Sequence, residues 1–245
     1  MAKPYEILSK YYEDIINDNT YQEFLNLILK KVKENSPTKK GFDCACGSGL
    51  FTRKLKREGF SVIGVDISEE MLKEAKSKSI SEKIHIDYLK QDMKNLKSFE
   101  KVGFISVVND GINYLSNKDL IKAFKSFNKC LVKGGCLIFD ISSKYKLEKV
   151  LNGNVFCDNN DKLSYMWFNS FIEDKNAINL TLTFFENQGN SYKRFDEEQL
   201  QYIHAVEDIK NALNDCGFKV VDITDEYGFD IKENSQKNIF TAIKE

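Results

Sequence analysis

Between residues 20 and 35 the apolar side chains Phe24, Leu27, Ile28 and Val32 recur at the spacing of one helical face. Thr20 followed by Glu23 predicts a capping box at the start of this helix, and Pro37 marks its end. Residues 4–18 are tyrosine-rich and are expected to form a shorter helix or an ordered arm. From residue 41 short apolar runs alternate with amphipathic segments. "GFDCAC", "SVIGVD", "KIHIDYL", "VGFISVV" and "GCLIFDI" read as strands. Between them fall a helix from about Leu50 to Glu58, one capped by Ser68, and one capped by Ser116 or Asn117 and stopped by Gly134 and Gly135.

After residue 150 the period changes. "LSYMWFNSFIED", "AINLTLTFFE" and "SYKRFDEEQLQYI" alternate like strands and are joined by the polar turns "EDKNA" and "NQGNS". A helix returns in "VEDIKNALNDCG", followed by the strands "FKVVDITDE" and "NIFTAIKE" with no helix between them. Strands joined without a crossover helix pair antiparallel. The pattern predicts a doubly wound, Rossmann-like α/β fold with a seven-stranded sheet, its last strand antiparallel, plus a small antiparallel β insertion. Residues 1–150 and 205–245 form the expected α/β domain, and residues 151–204 the insertion, expected as a cap on it.

At 245 residues with a 42% apolar fraction, the chain has the composition of a folded globular protein. Lys and Arg number 36 against 37 Asp and Glu, for a net charge of −1 with the signs interspersed. That balance argues against a dedicated nucleic-acid binder. No apolar run has the length of a membrane span and no secretory core stands at the N-terminus, so a cytoplasmic protein is expected, off the membrane. The six cysteines fall mostly in apolar stretches and read as small buried hydrophobes.

The chemistry concentrates in "FDCACGSGLFT", residues 42–52. Cys44 and Cys46 lack the further cysteine or histidine ligands that a metal site needs, so no metal is expected, and as strand residues they would share one face. A strand ending at Cys46, a turn at Gly47-Ser48-Gly49 and a helix immediately after form a better-supported unit. Glycines let a ligand approach the backbone, and the helix start offers free N–H groups. Seventeen residues beyond Gly49, Asp66 ends the second strand, where a carboxylate can accept both hydroxyls of a ribose. A pyrophosphate is disfavoured: Thr52 stands where a third glycine would fall, and Asp43 precedes the turn. An acid at Asp43 suits a cationic ligand instead.

These residues resemble the class I S-adenosylmethionine-dependent methyltransferases over residues 41–150 and 205–245. "FDCACGSG" is similar to their first motif, with Ala45 in place of its first glycine. "VIGVDIS" resembles their ribose-binding strand, "LKQDM" the adenine segment, and "VVNDGINYL" the stretch facing methionine and acceptor. The resemblance implies S-adenosyl-L-methionine as cofactor. It implies a cofactor site at Asp43, Ala45, Cys46, Gly47, Gly49, Asp66, Ile67, Met71, Asp92, Met93, Asn109 and Asp110. The arm and the insertion are most similar to small-molecule N-methyltransferases of amino sugars and glycine-like amines, which implies a small-molecule acceptor, an amine first. Tyr5, Tyr11, Tyr12 and Tyr21 are then lid candidates, with plain amphipathic packing as the alternative.

Methyl transfer from a sulfonium needs alignment and water exclusion more than covalent help. Candidates for the catalytic end are His204, Asn113 and Tyr21; Trp167, Phe168 and Phe171 either line the acceptor pocket or build the insertion's core. Three other readings stay open. A base-amine methyltransferase lacks its proline-containing segment in "NDGINY". A non-enzymatic binding module for the cofactor or its demethylated product shares every cofactor motif, and an O-methyltransferase of a small metabolite differs only in the acceptor atom. Monomer and homodimer are both compatible with the sequence.

Overall fold

The computed structural model describes residue 5, residues 8–16 and residues 18–245. Helix α1 (Leu8–Ile16) occupies the expected arm, whose residues 4, 6, 7 and 17 lie outside the described residues. Helix α2 (Asn19–Asn35) follows, but its cap is Asp18 rather than Thr20. Asp18 has the extended backbone of a cap and accepts the Tyr21 N–H, whereas Thr20 already lies inside the helix.

The main sheet has the order β10-β11-β5-β4-β1-β2-β3. Strands β1 (Lys40–Cys44), β2 (Ser61–Asp66), β3 (Asp87–Lys90), β4 (Val102–Val107) and β5 (Leu131–Ser142) run parallel. β11 (Lys237–Lys244) is antiparallel to both β5 and β10 (Phe218–Thr224). The helices α3 (Leu50–Arg57), α4 (Glu69–Ser81), α5 (Asn117–Cys130) and α6 (Val206–Asp215) connect the strands. Phe124, Phe127 and Leu213 pack with Phe139 and Phe240 in one apolar cluster, and α2 and α3 close another with Phe104 and Ile138.

Three expectations shift. β1 ends at Cys44 because Ala45 turns left-handed, at φ 52°. Cys44 and Cys46 are therefore not one strand face: the first is buried, the second half-buried in the turn. Of "KIHIDYL" only the last three residues pair, in a strand that runs from Asp87 to Lys90. Helix α5 stops at Cys130, and Gly134 and Gly135 lie within β5, where its register against β4 slips between Val102 and Phe104.

The insertion is a separate antiparallel sheet, β6 (Val155–Asn159), β7 (Leu163–Ile172), β8 (Ala177–Asn187) and β9 (Tyr192–Tyr202), one strand more than the pattern predicted. Its apolar side chains Leu163, Ile178, Leu180 and Phe184 share a cluster with Leu8 of α1 and with Leu147 and Leu151. Helix α1 and the insertion are thus packed against each other.

Candidate active site

β1 has β2 on one side and β4 on the other, so the chain reverses its winding there, and ligands of open α/β sheets sit at such a point. A cavity of about 700 Å³ lies there, walled by the segments that leave β1, β2 and β4. Gly47 lies on its wall in the left-handed region, at φ 53°, and donates its N–H to Asp66 Oδ2 at 2.8 Å. A β-carbon there would meet only Met71 Sδ at 3.8 Å and Tyr12 at 3.9 Å, so backbone conformation, not crowding, calls for glycine. Gly49, which is not a wall, is left-handed too, at φ 78°, and crowding adds to the need for glycine: a β-carbon would stand 2.5 Å from the Tyr88 hydroxyl.

Asp66 accepts a second N–H from Ser68 at 2.8 Å. A carboxylate offers about four acceptor directions, so capacity remains for a diol. Burial pushes its pKa up, and the N–H groups of Ser68 and Gly47 pull it back. Asp43 is buried, accepting from Thr52 Oγ1 at 2.6 Å and Ser106 Oγ at 2.8 Å. Burial pushes its carboxyl up to about 6 against those two bonds. Among the described residues the walls carry Asp43, Asp66, Glu69, Glu70 and Glu198 against one cation, Lys90. Such an acidic wall fits a sulfonium and an amino group and repels a pyrophosphate. The residues present therefore fit S-adenosylmethionine.

The N-terminal segment lines one side. Tyr5, Tyr12 and Tyr21 are wall residues; Tyr11 is not, and its hydroxyl bonds Glu186 of β8. Tyr5 bonds Tyr114 through their hydroxyls, and Tyr12 takes the Asn109 side-chain N–H. Glu197, buried in β9, accepts the backbone N–H groups of Tyr5 and Leu8 at 2.9 and 3.1 Å and so caps α1 from the insertion.

A second cavity of about 220 Å³ adjoins the first and shares Tyr5, Tyr12, Ile16, Asn109, Tyr114 and Gln199 with it. Its remaining walls include Trp167, Leu180, Phe184 and Lys146. At its edge Asn109 and Asp110 are consecutive left-handed residues, each at φ 65°. Their N–H groups both go to the buried Asp140 carboxylate, at 2.6 and 3.2 Å. Lys237 bridges Asp110 and Asp140 at 2.5 and 2.7 Å. Burial alone would raise Asp110, but Lys146 and Lys237 hold it below the usual carboxylate range, while burial drives Asp140 upward.

The structure gathers most of the expected residues. Asp43, Ala45, Cys46, Gly47, Asp66, Ile67, Met71, Met93, Asn109 and Tyr21 are walls of the large cavity, and Asp110 is a wall of the small one. Asp92 is not a wall; it caps the short turn Met93–Asn95 by accepting the Lys94 N–H. His204 and Asn113 belong to neither wall. His204 is buried with Nδ1 on Asn117 Oδ1 at 3.1 Å, and burial lowers its pKa. Asn113 binds Ser142 N–H at 2.9 Å and the carbonyls of Ser142 and Tyr202 at 3.3 and 3.0 Å, stitching its segment to β5 and β9. Trp167 is a wall, whereas Phe168 and Phe171 are exposed.

Sequence reasoning missed Arg53, Glu13, Lys146, Asp140 and Lys237. Asp140, a lone acid in the apolar run "GCLIFDIS", was the one visible signal. The others find their partners only through the fold.

A family model for a methyltransferase domain matches residues 42–135. The chain is 32% identical over 225 residues to Putative methyltransferase YqeM of Bacillus subtilis, covering 91% of this chain and 90% of that one. The crystal structure of an S-adenosylmethionine-dependent methyltransferase from Clostridium acetobutylicum superposes with a TM-score of 0.86 at 32% identity, over 96% of each chain. The sugar N-methyltransferase KedS8 from Streptoalloteichus gives 0.75 at 17% identity over 98% and 93%, a likeness of fold. With these matches and the cavity at the strand ends, the chain belongs to the class I S-adenosylmethionine-dependent methyltransferases.

Proposed function

We propose that this enzyme methylates a small molecule held in the second cavity, with an amine as the acceptor atom. The observation that supports this reading is the pair of adjoining cavities with shared walls, the smaller one about 220 Å³ and lined by α1, the insertion and the segment around Asn109, a volume that suits a small molecule. The sugar N-methyltransferase KedS8 shares the arrangement of sheet and insertion at the level of fold.

In this reading Asp66 accepts the ribose hydroxyls, the glycine turn lets the backbone come close, and Ile67, Met71 and Met93 pack on the adenine side. The bound cofactor supplies a methyl group already activated by its sulfonium. Tyr5, Tyr12 and Tyr114 place aromatic rings at the junction of the cavities, where they shield the reacting centre from water and favour positive charge. Asn109 donates its side-chain N–H to Tyr12, which leaves its amide oxygen to receive an N–H of the acceptor amine and aim the lone pair. His204 and Asn113 act on this site by holding its backbone, not by touching substrate.

The test is an assay with methyl-labelled cofactor on a small-molecule extract, followed by mass analysis of the labelled product. The expected product is a small amine one methylene heavier. Label found only in protein or nucleic acid, or on an oxygen, overturns the corresponding part of the reading.

A further inference from the structure

Lys146 opens the π-helical turn Lys146–Leu151, a backbone form that recurs at functional sites, and lies on the wall of the second cavity. Its Nζ makes no hydrogen bond to a described residue, and the nearest acid, Asp110, stands 3.7 Å away. Asp110 is already bonded by Lys237. An ammonium carries three N–H donors, so Lys146 presents donors and charge to the cavity. Two further wall residues carry buried donors with no partner among the described residues, Trp167 Nε1 and Gln199 Nε2. The rest of the wall is largely apolar, with Leu151, Leu180, Leu182 and Phe184. A buried donor left unmade is costly, so a ligand that supplies acceptor oxygens gains from each.

We propose that the acceptor is a small acid, an apolar or aromatic body bearing a carboxylate that binds Lys146. This rests on the second cavity being the acceptor site. The carboxylate end lies on Lys146, and the atom to be methylated faces the cavity junction at Tyr12 and Asn109. Burial depresses the Lys146 ammonium, and a bound anion would restore it. An acceptor with a carboxylate at one end and an amine at the other satisfies both ends of the site.

The test uses 3-phenylpropanoate, its neutral amide and phenethylamine as probes, titrated into the full chain with and without saturating S-adenosylhomocysteine. The acid is expected to bind at least about tenfold tighter than the amide, the worth of one charge-assisted hydrogen bond. Lys146→Met should remove that preference and leave S-adenosylhomocysteine binding unchanged, while Lys146→Arg should retain it. Thermal melts of both variants check folding. Equal binding of acid and amide, a preference for phenethylamine, a preference that survives Lys146→Met, or binding of none of the three at millimolar concentration overturns the proposal. Failure of S-adenosylhomocysteine itself to bind overturns the cofactor site separately, because the probe series is also read on the cofactor-free protein.

Discussion

Arg53 Nη2 donates to both carboxylate oxygens of Glu13, at 2.8 and 2.9 Å, an ion pair that fastens α1 to the helix behind the glycine turn. The Arg53 side chain is 1% exposed; it also donates to the Ser48 carbonyl at 2.8 Å and to Glu82 at 3.0 Å. One guanidinium thus sets lid, turn and the end of α4 together. Breaking such a buried pair from one side costs about 3–5 kcal/mol. Arg53→Met is expected to lose that much in urea unfolding. Glu13→Gln, which leaves Glu82 in place, should lose less and raise amide exchange first in α1. Unchanged exchange in α1 would show that the pair does not hold the lid.

Asp43 makes stability depend on pH. Its folded pKa of about 6 lies above the ordinary carboxylate value of 3.8, so the folded state keeps a proton that the unfolded chain gives up. The stabilisation is complete below about pH 4 and is lost as pH rises through about 6, a loss of about 3 kcal/mol at neutral pH. Asp43→Asn, still able to pair with Thr52 and Ser106, is expected to stabilise the cofactor-free protein by about 1–3 kcal/mol at neutral pH and by nothing near pH 4. A gain of equal size at both pH values would contradict this assignment.

Ala45 and Gly111 share a tight contact. A β-carbon on Gly111 would stand 3.0 Å from the Ala45 methyl and 2.8 Å from Val107. Gly111→Ala is expected to cost about 1–3 kcal/mol by overpacking. Ala45→Gly in the same chain removes one of the two clashes and the strain of an alanine at φ 52°, and should recover about 1 kcal/mol. Strict additivity of the two changes would show that the residues do not press on each other.

How much of this was legible follows from where each signal lives. Asp66 was readable because its cue is local, an acid closing an apolar strand after a glycine turn. The left-handed turn at Ala45 was not, since alternation of apolar residues cannot show where a strand stops. The pair Gly134-Gly135 reads as a helix stop locally, but β4 draws the chain into β5 from Leu131 and the glycines fall inside the strand. Lys237 meets Asp110 across 127 positions, and nothing in "SQKNIF" marks it. Phe168 and Phe171 have the hydrophobicity of a pocket wall and are exposed to solvent.

Asn113 and His204 separate support from chemistry. Asn113→Ala removes the bonds to the Ser142 N–H and to the carbonyls of Ser142 and Tyr202 and is expected to cost about 3 kcal/mol in urea unfolding. His204→Gln should leave the pH dependence of kcat unchanged once folding is matched. Loss of a titration from the kcat profile in His204→Gln would place that imidazole in the chemistry after all.

The central claim is that Asp66 and the Gly47 turn hold the cofactor. Calorimetric titration of S-adenosylhomocysteine into the wild-type chain and Asp66→Ala tests it most directly. Micromolar binding that weakens about a hundredfold in the variant, the worth of two charge-assisted hydrogen bonds, is the predicted result. Equal affinity in the two proteins would contradict it.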